Sequence, residues 1–151
     1  MTRADHVNPQ NGLPVPLKGG CACGAVRFEA IAEPIRVGLC HCMTCRKKHG
    51  SAFNPFVVFQ FEDVLIGGAL QSWRSSEHAT RLSCATCASP ICYQEDAGTE
   101  IELNLGSFDD TSLFAPQYEN WTVHRETWLP ALGIPTRATD SDFQKRHLAN
   151  A

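Results

Sequence analysis

No part of this sequence carries the ~18 uncharged apolar residues that a membrane span requires. The N-terminal stretch MTRADHVNPQNGLPVPLKGG holds no apolar run of signal-peptide length, because Asn, Pro and Gly interrupt it. The expected compartment is therefore the reducing cytoplasm, with no membrane partner. A large excess of basic charge is also missing. The formal net charge is -3, which gives no electrostatic reason to expect a nucleic-acid partner. Helical periodicity sustained over three turns is absent, as are internal repeats and low-complexity tracts. What remains is ordinarily globular: 151 residues, 43% hydrophobic and 19% charged, enough for one domain with one core.

Cysteine, by contrast, is abundant: eight residues, seven of them in tight groups. Cys21 and Cys23 form a C-x-C, Cys40, Cys42 and Cys45 a C-x-C-x-x-C, and Cys84 and Cys87 a C-x-x-C. In a reducing compartment such groups point to metal ligands rather than disulfides. Thiolates are soft, and no spacing here fits the ferredoxin patterns, so zinc is the expected ion. Seven thiols divide into four plus three. Two distant knuckles, Cys21/Cys23 and Cys84/Cys87, can converge on one closed tetrahedral structural site. Cys40, Cys42 and Cys45 can be gathered by one loop. His41 or His49 could close that second site, or water or a substrate thiol could occupy an open position. An open position is the catalytic arrangement. Cys92, in ICY, reads as a small buried apolar side chain.

The pattern along the chain is that of short strands. Val26, Phe28 and Ala30 alternate with polar residues, as do Ile35, Val37 and Leu39, and Ile101, Leu103 and Leu105. FVVFQF at 56–61 suits a strand buried on both faces. Leu70–Trp73, Ala79–Ser83 and Tyr118–Val123 read as further strands. Gly67-Gly68 and Asp109-Asp110 mark turns. One short helical turn follows Cys42 and ends near Gly50; another starts at Asp140 or Ser141 and carries Phe143 and Leu148. The organisation expected is a tail at 1–18, a single zinc-binding catalytic-type domain at 19–137 and a C-terminal tail at 138–151, with a mainly β sandwich or open barrel.

GGCACGAVRFEA at 19–30, CHCMTCRKKHGSAF at 40–53, CATCASPICY at 84–93 and GSFDD at 106–110 follow one another as in a known family. The sequence resembles the glutathione-dependent formaldehyde-activating enzymes, zinc-dependent carbon–sulfur lyases. The resemblance implies a β-tent of short antiparallel strands and two zinc ions per chain. It assigns Cys21, Cys23, Cys84 and Cys87 to a structural zinc, and Cys40, Cys42 and Cys45 to a catalytic zinc with a labile outer position. The implied reaction joins glutathione and formaldehyde into S-(hydroxymethyl)glutathione. Arg46, Lys47, Lys48 and His49 follow the triad and could meet glutathione, or form a solvated basic face and a turn histidine. Trp121 and Trp128 read as core. The resemblance extends to centromere protein V, so a non-catalytic zinc-stabilised binding module, or a thiol or metal sensor, stands as the alternative. Two departures are visible: Ala88 stands where the family usually has Gly, which suits a negative φ, and Glu119 stands where many members have His, within the region expected to affect the substrate.

Overall fold

The computed structural model describes residues 12–139. The helical turn expected at Asp140 or Ser141 lies outside them. Ten strands and one helix follow in chain order: β1 Leu17–Gly20, β2 Arg27–Ala30, β3 Arg36–Cys40, α1 Met43–His49, β4 Asn54–Gln60, β5 Val64–Gly67, β6 Leu70–Ser76, β7 Ala79–Cys84, β8 Pro90–Glu95, β9 Glu100–Asn104 and β10 Tyr118–Asn120. They form a three-stranded sheet, β1-β2-β5, and a seven-stranded sheet, β10-β3-β4-β9-β8-β7-β6. The fold is mainly β, as the β-tent reading requires.

Two details differ from the sequence reading. β1 begins at Leu17, ahead of the first expected strand, and Leu17 is buried. β10 runs parallel to β3, whereas every other pair is antiparallel. β10 follows β9 through turns at Leu105–Ser107 and Thr111–Leu113 rather than a hairpin, and this longer connection permits the parallel approach.

β4 explains how the core and the candidate site share one sheet. Side chains alternate across a strand. Val57 and Phe59 enter the main core with Phe28, Ile91, Ile101, Leu103 and Phe108. Phe56 and Val58 enter a second cluster with Cys40, Cys45 and Tyr118, against which Cys42 and Trp121 pack. All four β4 residues are buried, so the expectation of a strand covered on both faces holds. Burying each large apolar side chain contributes roughly 1.5–3 kcal/mol. Phe28 and Phe108 add an edge-to-face contact at 5.0 Å. Gly38 sits where β3 passes under Phe56 and Tyr118. A Cβ there would come within 2.5 Å of the Phe56 ring and 2.7 Å of the Tyr118 ring.

Candidate functional site

The seven clustered cysteines converge into two groups. The ligand sulfurs of Cys21, Cys23, Cys84 and Cys87 all lie within 4.8 Å of one another, and so do those of Cys40, Cys42 and Cys45. A Zn–S bond of about 2.3 Å in a tetrahedron puts sulfurs about 3.8 Å apart. Here Cys21 and Cys23 are 3.5 Å apart, and Cys23 and Cys84 3.9 Å. Backbone N–H groups also donate to the sulfurs: Val26 to Cys21 at 3.1 Å and Thr86 to Cys84 at 3.3 Å. Such donors favour thiolate over thiol. The donor set and its spacing therefore fit a soft tetrahedral ion in the first group and three ligands of one in the second. All eight cysteines are free of disulfides.

The knuckle around Cys84 contains an unexpected backbone state. Ala88 adopts φ 61°, in the left-handed region, and its N–H donates to Cys84 O at 2.9 Å. The negative φ expected for it is not found. The turn that brings Cys87 back towards Cys84 needs this conformation, and alanine bears a steric cost of about 1–2 kcal/mol there.

The second group is built by the end of β3 and the start of α1. Cys40 closes the strand and Cys42 is the N-cap residue of the helix; its Sγ accepts the Cys45 N–H at 3.2 Å. A sulfur here plays the role usually taken by a serine or aspartate oxygen, and the helix terminus favours its negative form. Hydrogen bonds from Cys40 and Cys45 pull the Cys42 thiol far below its usual range, while the same contacts push Cys40 up. The basic residues Arg46, Lys47, Lys48 and His49 occupy the last helical turn, where positive charge suits the carbonyl end.

A cleft of ≈ 380 Å³ opens over the triad, with Cys40, Cys42 and Cys45 in its wall. Met43, Phe56 and Trp121 give it apolar surface, and Arg81, Glu95 and Glu102 give it charge. Arg46, Lys48 and His49 do not line it. Arg46 pairs with Glu126 and donates to His124 O at 3.4 Å, bracing the segment that carries Trp121 and His124. Lys48 Nζ donates to Ser83 Oγ at 2.9 Å and ties α1 to β7. His49 is largely enclosed, and burial, followed by the charges of Arg81 and Lys48, pushes it down to about 4. Trp121 is half-buried, at φ 59°, and stacks on His124 with ring centroids 6.0 Å apart. Trp128 is 69% exposed, so it is not core. Cys92 is buried as expected, and burial pushes its thiol up to about 12, which leaves it inert.

Arg81 was invisible to sequence reasoning. In β7 it is one polar residue among several, and only strand register brings it to the triad. Pairing aligns Arg36, Val58, Glu102, Tyr93 and Arg81 across five strands. The Arg81 guanidinium stacks 5.0 Å from the Tyr93 ring centre, and its Nη2 reaches Cys45 Sγ at 3.5 Å.

Glu119 also has a role that sequence did not reveal. It is fully buried behind the triad loop rather than in the cleft wall. Its Oε1 meets His41 Nε2 at 2.9 Å, and its other oxygen accepts from Arg125. His41 is directed away from metal binding through that nitrogen, and its backbone N–H is bound by Asn120 O at 3.0 Å. The departure at 119 therefore bears on the support of the Cys40–Cys42 loop, not on a direct contact in the cleft.

With this geometry in place, comparison with known proteins is decisive. Residues 16–124 match the family described as glutathione-dependent formaldehyde-activating enzyme. The chain belongs to this family. A protein of Schizosaccharomyces pombe named as an uncharacterized lyase is 32% identical over 76 residues, 50% of this chain and 56% of that protein. The match thus spans little more than half the length of that relative. The crystal structure of a Rhodobacter sphaeroides protein superposes with a TM-score of 0.52 at 20% identity, over 80% of this chain and 100% of that one. This likeness shows the shared fold. No helix among the described residues is long and apolar enough to cross a membrane.

Proposed function

We propose that the chain is a zinc-dependent carbon–sulfur lyase-type enzyme that makes or breaks the bond between a thiol sulfur and an aldehyde carbon. Glutathione and formaldehyde are the leading pair, with S-(hydroxymethyl)glutathione as the adduct, and the reducing cytoplasm is the fitting compartment. The observation that carries this reading is a group of three, not four, sulfurs in the wall of an open cleft.

Zinc held by Cys40, Cys42 and Cys45 would supply a positive centre that lowers the pKa of a substrate thiol, from about 8.5 in water. The chain's own residues prepare the rest. Met43, Phe56 and Trp121 reduce the water around the sulfur, which strengthens charge interactions there. Arg81 offsets the negative charge of the cysteine sulfurs. Glu95 and Glu102 offer partners for the ammonium group of glutathione. Cys21, Cys23, Cys84 and Cys87 would hold a structural zinc that joins the start of the domain to β7.

The test is formaldehyde–glutathione exchange followed by NMR, with the spontaneous rate subtracted. Acceleration by wild-type protein that disappears in Cys42→Ala supports the enzyme. Metal or thiol exchange without acceleration would instead identify a sensor or binding module.

A further inference from the structure

We propose that Arg81 is a catalytic residue that receives the oxygen of the substrate aldehyde, and that His49 positions it through one bridging water molecule. This rests on the lyase reading above and adds the group that handles charge on oxygen.

Attack by a thiolate on an aldehyde forms a C–S bond while the carbonyl π pair moves onto oxygen. The resulting alkoxide takes a proton from solvent water and becomes the hydroxyl of the hemithioacetal. In the reverse direction the oxygen loses that proton, the C=O bond reforms and the C–S pair returns to sulfur. In both directions negative charge develops on an oxygen one carbon from the sulfur. A fixed donor beside that oxygen lowers the barrier.

Arg81 meets the geometric demands. It lies in the cleft wall, with Nη2 3.5 Å from Cys45 Sγ, so it borders the place where a substrate sulfur joins the triad. It extends from β7 in the middle of paired strands and is steadied by the Tyr93 ring. Arginine stays protonated throughout and loses no proton to the alkoxide. The other charged side chains in the wall, Glu95 and Glu102, are carboxylates and would repel it.

The back of the guanidinium supplies the second part. Arg81 Nε and His49 Nε2 are both buried without a hydrogen-bond partner. Both side chains line the same small void of ≈ 10 Å³, about the room one water occupies. A water there would accept from Arg81 Nε and donate to His49 Nε2, satisfying both atoms and fixing the guanidinium plane.

The test uses the zinc-loaded full chain and compares wild type with Arg81→Lys, Arg81→Met, His49→Gln and His49→Leu. The expected result for Arg81→Met is a kcat lower by about 100-fold with an unchanged KM for the thiol, partly restored by added guanidinium. Arg81→Lys should fall between. Binding gives a second readout independent of turnover. Mercaptoacetate, with oxygens beyond its sulfur, should bind Arg81→Met about 10–100-fold more weakly than wild type, while ethanethiol binds both alike. His49→Gln, which keeps an acceptor, should retain kcat that His49→Leu loses. Equal kcat and equal mercaptoacetate affinity in wild type and Arg81→Met would overturn the assignment and leave the lyase reading intact. Loss of zinc or of melting temperature in step with activity in both Arg81 variants would make Arg81 structural and also overturn it. A wild-type protein that accelerates no thiol–aldehyde exchange would remove the lyase reading and this one with it.

Discussion

The two cysteine groups use the same atoms for opposite ends. In the group of four, two knuckles separated by some 60 residues meet (Cys23 and Cys84 are 61 apart in sequence), and four sulfurs lie within 4.8 Å of one another. Four thiols are a full ligand set for a tetrahedral ion. In the group of three, all sulfurs come from one strand end and one helix start, and the cleft lies over them. A metal in the first group joins distant parts of the chain and so contributes folding free energy. A metal in the second would close only a short local loop between the end of β3 and the start of α1. Strand β7 links the two, with Arg81 beside the triad and Cys84 in the four-sulfur group.

The largest effect should come from the closed group. Cys84→Ala removes a fully buried ligand, and a structural zinc site is worth about 10–16 kcal/mol against a total stability of about 5–15 kcal/mol. The variant should be unfolded by circular dichroism, and strong chelation should unfold wild type. A folded Cys84→Ala would erase the contrast between the groups. Next, Cys42→Ala should abolish exchange activity yet lose only the helix cap, about 1 kcal/mol or about 2–4 °C in melting temperature. Elemental analysis should give two metals per chain in wild type and one in this variant. Unfolding on the scale of Cys84→Ala would show the triad to be structural as well.

A third change probes what lies behind the triad. Glu119→Leu leaves His41 and Arg125 without their buried partner and should cost about 3–5 kcal/mol in urea unfolding. It should also loosen metal at the triad before the four-cysteine site, read as faster loss of one metal to a chelator. Equal loss from both sites would show that Glu119 supports the whole fold rather than one loop. The smallest effect sharpens the closed group: Ala88→Gly should stabilise by about 1 kcal/mol, because glycine adopts φ 61° without the Cβ clash. An unchanged unfolding midpoint would mean that the knuckle imposes no such strain.

Much of the fold was legible because it rests on local patterns. Alternation at Val26, Phe28 and Ala30 and at Ile101 and Leu103 marks β2 and β9, and the helix after Cys42 ends at Gly50 in the left-handed state such a stop requires. β1 was missed because LKGG has too few apolar residues to display a period. The parallel β10 was missed because pairing direction depends on where a long connection returns. The basic cluster after Cys45 attracted attention as a substrate contact because it is adjacent in sequence. A helix, however, turns successive side chains to different faces, and Arg46 and Lys48 found partners in Glu126 and Ser83.

Cysteine spacing alone suggested a division of seven thiols into four and three, since each short knuckle gathers its own sulfurs by local geometry, although only the fold brings Cys21 and Cys23 to Cys84 and Cys87. The surroundings of the three were decided only by tertiary structure. Arg81 reaches Cys45 from 36 residues away, and Glu119 reaches His41 from 78 residues away. Neither contact has a local signature, because strand register and burial, not spacing along the chain, determine which side chains meet.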